Sequence, residues 1–238
     1  LCSKNDNTDE PVDPRILYFS SVEGTMQDFS VDEEFPITAF ETRGFNALTL
    51  DSRGNVTVRN LFESEPSFEF KSFGLRDVEF ADVEHIIVAG QRSSILQTTT
   101  YRIDTRTRET VALEVKGSIT FDIHYDSDSE RLYALTINNE GDVPETIISE
   151  HYGDGFERKR EIFSTDGEYF ESGLATLDGD LFFAVGGSVF VRRNGSYRVD
   201  EIESNNNIPH TLRTFGDWLF SINRDSSISL WNASDGSY

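Results

Sequence analysis

One cysteine, at position 2, and one methionine are all the sulfur the chain carries, so no intrachain disulfide can staple it and any core must rest on packed apolar layers. Long apolar runs are missing as well: no stretch reaches the ~18 consecutive apolar residues that a spanning helix needs. Basic side chains are scarce, 21 against 43 acidic ones, and the resulting charge of −22 repels phosphate backbones and anionic lipid heads across a Debye length. That argues against nucleic acid as a partner. A sustained i, i+3, i+4, i+7 apolar stripe is also absent, which removes the amphipathic helix as the main building unit. There is no Gly-x-Ser-x-Gly elbow, and Cys2 has no positioned base beside it, so nucleophilic hydrolysis has no motif here. Gly186-Gly187 has no Lys-Ser/Thr after it and reads as a hairpin turn rather than a phosphate loop. No cofactor motif is present.

What the chain does have is aromatic residues and a period. Nineteen Phe and eight Tyr favour half-buried pleated strands, and 238 residues suffice for a sizeable core. The apolar segments beginning at Ala47, Ile86, Leu132, Leu181 and Leu219 are spaced by 39, 46, 49 and 38 residues. Periods near 40 to 50 built from several short strands are the mark of propeller blades. Within one repeat, Thr120 to Tyr125 reads as an inner strand, Asp126 to Glu130 as a turn, and the segments from Arg131, Glu145 and Phe156 as the second, third and fourth strands. The next repeat is broken at Asp178-Gly179, Gly186-Gly187 and Asn194-Gly195, dipeptides that tolerate the positive φ of tight hairpins. The fold class expected is all-β, a propeller of four-stranded antiparallel blades.

The segments IHYDSDSERLYALT, GLATLDGDLFFAV and SISLWNASDG resemble the strand-turn-strand elements of YncE-like, NHL-like and WD40-like propellers over most of residues 35 to 238. The resemblance implies blade geometry and carries no catalytic residue across. Both ends of the repeat region are irregular. The last unit stops one strand short of four, and the segments ILYFSS and TMQDFS form an N-terminal hairpin that belongs to no complete blade. Either one of those strands completes the last blade and closes a five-bladed ring, removing exposed edges, or the hairpin is half of a sixth blade.

The division expected is a flexible polar tether over residues 1–14 and a propeller over 15–238. Cys2 followed by SKNDNTDEPVDP resembles the mature start of a bacterial lipoprotein, although Leu1 is larger than the residue usual before a lipidated Cys. That resemblance implies lipidation of Cys2, an extracytoplasmic, outer-membrane or cell-surface location, and membrane contact through the anchor alone.

Candidate site residues are few. If inner strands line the axis, His124 and His210 approach it, and with Asp122 and Arg213 they form the set expected of an acid-base site there. Asp126, Asp128 and Glu130 imitate the start of a calcium loop, but Arg131 and Ile137 stand where such a loop needs Gly and a bidentate Glu, so a solvated turn is the better account. Trp218 and Trp231 offer large rigid rings for a binding surface, set against the competing role of blade packing. The reading these residues support is a non-enzymatic extracytoplasmic scaffold that recognises a protein or glycan through its blade loops. Its rivals are a polysaccharide- or peptide-processing lyase or hydrolase at the axial channel, and a structural repeat module of a larger surface protein.

Overall fold

The computed structural model describes residues 15–20, 25–30, 36–63, 66–91, 100–153, 155–167, 169, 173–204, 209–215, 217–223, 225 and 227–232. The expected tether with Cys2 lies outside the described residues. Those described form strands and no helix. β1 (Arg15–Ser20) and β2 (Thr25–Ser30) pair with each other in a sheet of their own. Blade 1 follows as β3 (Ile37–Arg43), β4 (Asn46–Asp51), β5 (Asn55–Asn60) and β6 (Phe68–Lys71). Blade 2 is β7 (Leu75–Phe80), β8 (His85–Gly90), β9 (Thr100–Asp104) and β10 (Thr110–Leu113). Blade 3 is β11 (Ile119–Asp126), β12 (Arg131–Asn138), β13 (Glu145–Tyr152) and β14 (Arg158–Asp166). Blade 4 is β15 (Leu174–Leu177), β16 (Asp180–Val185), β17 (Ser188–Arg192) and β18 (Val199–Ser204). Blade 5 has, among the described residues, three strands, β19 (Pro209–Phe215), β20 (Trp218–Asn223) and β21 (Ile228–Asn232).

Each sheet is an antiparallel meander in sequence order, and the result is a five-bladed β-propeller. The expected blade boundaries hold. Asp178 and Gly179 both have positive φ, 52° and 80°, as a two-residue hairpin turn between β15 and β16 requires. Of the two roles expected for the N-terminal hairpin, completion of blade 5 is the one the structure does not show: β1 and β2 pair with each other in a separate sheet, and among the described residues β21 is the last strand of the fifth sheet.

The blades stack through shared apolar layers. The second strand of each blade sends alternate side chains forward into the next blade. Leu48 and Leu50 meet Val78, Phe80 and Val88; Ile87 and Ala89 meet Ile123, Leu132 and Ala134. Tyr133 and Leu135 meet Leu174, Leu181 and Phe183, while Phe182 and Ala184 meet Leu212, Leu219 and Trp231. Those eight forward-facing residues are buried to 1% exposure or less. At roughly 25 cal/mol per Å² of apolar surface, these layers are the main force holding the disc together.

The pattern stops at blade 5. Its forward-facing residues on β20 and β21 are uncovered: Trp218 is 43% exposed, Ile222 45%, Ile228 71% and Leu230 48%. On blade 1, Phe40 is 41% exposed, whereas its register equivalents Val78, Ile123, Leu174 and Leu212 are at most 4% exposed.

Candidate functional site: the axial channel

The first strand of every blade lies innermost, and β3, β7, β11, β15 and β19 together line a cavity of about 600 Å³. Register against the second strand fixes which residues share a level. Glu41, Glu79, His124, Ala175 and Arg213 stand opposite Leu48, Ile87, Tyr133, Phe182 and Phe220, all equivalent positions of the repeat. Two residues away, Ala39, Asp77, Asp122 and Thr211 stand opposite Leu50, Ala89, Leu135 and Ile222. Gly173 completes that level in blade 4, accepting from the Ala184 amide at 3.0 Å. A Cβ on Gly173 would come within 2.4 Å of the Leu212 nitrogen, so this level is closed to any larger residue in blade 4. Just beyond, the register slips by one residue in four inner strands, at Thr38, Arg76, Phe121 and His210. A bulge repeated at one height bends each inner strand and turns the extra side chain toward a new direction. Thr38, Arg76 and Phe121 line the cavity.

Acidic side chains at these levels clasp neighbouring blades. The Glu41 carboxyl accepts from the Phe80 amide of blade 2. Asp77 accepts from the Ile123 amide at 2.9 Å, and Glu79 from the Tyr125 amide at 2.6 Å, both in blade 3. Glu79 also holds His124 Nδ1 at 3.1 Å, and His124 Nε2 lies 2.9 Å from the Thr176 hydroxyl of blade 4. The Thr214 hydroxyl of blade 5 then donates to the Thr176 carbonyl at 3.1 Å. An inner strand has a free edge toward the axis side of its neighbour, and these side chains satisfy amide groups that packing would otherwise strand.

Crowding of carboxyl groups sets the protonation of the site. Burial and the charge of Glu79 raise the Glu41 pKa to about 8. Burial raises Asp77, and burial together with Asp77 raises Asp122 well above the carboxylate range; the two carboxyls share a hydrogen bond and titrate as a pair. For His124, burial pulls the pKa down, but Glu79 outweighs it and raises the imidazole above its ordinary value. The channel therefore holds acids of raised pKa beside a histidine that Glu79 biases toward its charged form, with the guanidinium groups of Arg76 and Arg213 on its wall.

Three of the four expected axial residues, Asp122, His124 and Arg213, meet in this channel. His210 sits at the bulge of β19, and its side chain lies outside the described residues. Glu41, Asp77 and Glu79 escaped sequence reasoning. Aligning the inner strands by their register with the apolar second strand would have found them, since Glu41 and Glu79 are the repeat equivalents of His124, and Asp77 that of Asp122.

The other candidates lie elsewhere. Trp231 is 1% exposed inside the blade 4–5 layer, so its ring is not presented to a ligand, whereas Trp218 stands on the uncovered face of blade 5. Asp126 is buried and accepts from the Asp128 amide at 3.1 Å and the Ser129 hydroxyl at 2.6 Å, which is a turn-closing role. Asp128 and Glu130 are exposed, and among the described residues no three His, Cys, Asp or Glu side chains are placed to share a cation.

No protein-family model matches the chain, and no curated protein is significantly similar to it. Among solved structures, it is similar to a chain in the crystal structure of a nidogen/laminin complex, with TM-score 0.70 and 12% identity over 89% of this chain and 81% of that one. It is also similar to the computationally designed Ika8 protein, with TM-score 0.55 and 11% identity over 86% of this chain and 73% of that one. At such identities the likeness shows the propeller fold alone.

Proposed function

We propose that this propeller is a non-enzymatic binding scaffold, displayed outside the cytoplasm on a tether that is lipid-anchored at Cys2, and that it recognises a macromolecular partner. Kinship with YncE-like or NHL-like propellers belongs to the same proposal. The observation that carries the reading is the forward face of blade 5. Four blades bury this face under their neighbour, while here Trp218, Ile222, Ile228 and Leu230 meet solvent on a sheet with three strands among the described residues. An apolar face flanked by a strand edge suits a protein partner that adds an extended segment, main-chain bonds giving affinity and alternate side chains giving specificity. The acids of the channel support a scaffold over an enzyme, because Glu41, Asp77 and Glu79 already accept main-chain amides of the adjoining blades. The solved neighbour from a nidogen/laminin complex comes from a protein-protein assembly, which is compatible with this reading.

The test is selection of displayed peptides on the wild-type protein, counter-screened on Ile228→Asp/Leu230→Asp. Selected peptides are expected to bind the wild type, to lose the variant by more than tenfold, and to slow hydrogen exchange of the β21 amides. Peptides that bind both forms equally, or protection in the unliganded chain of the β21 amides that point away from β20, would overturn it.

A second reading has its own support: Asp122, His124 and Arg213 converge in one cavity with raised acid pKa values, which is the environment a lyase or hydrolase uses. Turnover of any polysaccharide or peptide that falls at least a hundredfold in His124→Ala would favour it over the scaffold.

A further inference from the structure

The axial channel has features that the scaffold reading at blade 5 does not use. It is a cavity of about 600 Å³, within the range of small-molecule sites, and it is built on five inner strands rather than on loops. Its lining mixes three kinds of group. Arg76 and Arg213 supply guanidinium donors; Arg213 uses one N–H on the Leu212 carbonyl at 2.8 Å, which leaves others on the fork. Glu41 and Asp122 supply carboxyl groups that both donate and accept. Phe40 supplies an aromatic face that is 41% exposed, while Phe121 is already covered on one side by the Arg76 guanidinium at 5.8 Å.

We infer that the channel binds the end of a neutral, polyhydroxylated ligand, a saccharide unit, with Phe40 against the sugar face and Arg213, Asp122 and Glu41 bonded to its hydroxyls. Three ligand classes compete, and the chemistry separates them. An anion meets the carboxyl groups of Glu41, Asp77, Glu79 and Asp122 on the same wall as its two guanidinium donors. A cation meets the guanidinium groups of Arg76 and Arg213 on the same wall. A neutral polyol meets neither obstacle, and each of its hydroxyls is donor and acceptor at once, which matches a wall offering guanidinium donors beside carboxyls. An apolar ligand would leave those groups unsatisfied.

Arg213 pairs with Phe220 on the face of blade 5 that also carries Trp218 and Ile222, so the two tests are kept apart by residue: Phe40 and Arg213 here, Ile228 and Leu230 of β21 there. The probes are neutral trisaccharides (maltotriose, cellotriose, xylotriose and N-acetylchitotriose), measured by calorimetry and saturation-transfer NMR on the intact chain. At least one is expected to bind, with affinity falling tenfold or more in Phe40→Ala and in Arg213→Ala, both solvent-facing changes that leave the fold in place by hydrogen exchange. Glu41→Gln keeps a neutral donor and acceptor, and its affinity, whatever its level at pH 7, is expected to hold at pH 9, where the wild type weakens. Binding of none of the four, binding indifferent to Phe40 and Arg213, or preference for putrescine or glucuronate over every neutral probe would overturn the inference.

Discussion

Buried carboxyl groups occur in two parts of this molecule and fare in opposite ways. Glu150 on β13 is 1% exposed; its carboxylate takes Arg131 at 2.6 Å, Arg192 of blade 4 at 3.0 Å, and Arg160. Burial alone would raise its pKa, but the guanidinium groups of Arg192, Arg131 and Arg160 together hold it below the ordinary range. In the channel, Glu41, Asp77 and Asp122 sit among other acids, and their pKa values rise. The first arrangement is a pin between blades 3 and 4, with every charge compensated by the chain itself. The second leaves acids protonated around an open cavity, a state that costs stability as the pH climbs and that binding chemistry can exploit. Acid burial marks a candidate site only where the protein does not neutralise it.

The comparison can be broken by substitution. The largest effect is expected from Glu150→Ala, which strands Arg192, 5% exposed, without its counter-charge. A loss of about 3–5 kcal/mol in urea unfolding is expected, and a loss below about 1 kcal/mol would show that the pin contributes little. One residue on, His151 is buried to 1% exposure, its Nε2 lies 2.9 Å from the Ser149 hydroxyl, and burial drops its pKa to about 4. Between pH 6.5 and 4 the unfolded chain therefore binds the proton that the folded chain refuses, and stability falls as pH falls, by about 3 kcal/mol from this group. His151→Gln should flatten that acid limb, and an unchanged limb would refute the assignment.

Glu41 gives the opposite sign. Between 4.5 and about 8 the folded state binds the extra proton, so the stability it confers is complete below 4.5 and is lost as pH rises through 8. Glu41→Gln is expected to cost less than about 1 kcal/mol at pH 7, since the amide oxygen still accepts from Phe80, and to remove part of the alkaline decline; a variant with the wild-type slope would place the proton elsewhere. The smallest effect belongs to Arg213→Ala. Its side chain is exposed, so unfolding should change by about 0.5 kcal/mol or less, while the apparent pKa of the Asp77–Asp122 pair, followed by carboxyl NMR, moves further up as Arg213 no longer opposes its neighbours.

How much of this was legible in the chain differs between the two regions. Arg131, Glu150 and Arg160 belong to one blade, and Glu150 pairs directly with Tyr133 and Arg160 across adjacent strands, so ordinary strand alternation brings that cluster together. The channel joins residues 39 and 46 positions apart on separate sheets, and its geometry depends on how five sheets incline around one axis. Asp122, His124 and Arg213 were recoverable because inner strands were recognised as such. Glu41, Asp77 and Glu79 looked like ordinary surface acids in a chain with 43 of them. The repeated bulge at Thr38, Arg76, Phe121 and His210 leaves no composition signal at all. Trp218 pairs with Asn232, the chain neighbour of Trp231, so strand alternation alone puts the two rings on opposite faces of blade 5; which face is covered, Trp231 toward blade 4 and Trp218 toward solvent, depends on the neighbouring sheets.

By itself the sequence determined the all-β class, the blade period and the hairpin turns, because side-chain alternation, apolar spacing and residues tolerant of positive φ act over a few neighbours. Only the tertiary structure decided which acids face the axis, which are neutralised, and which face of blade 5 stays uncovered. Those outcomes depend on the summed packing of sheets distant in the chain, where burial and unlike charge reach a residue through space rather than along the backbone.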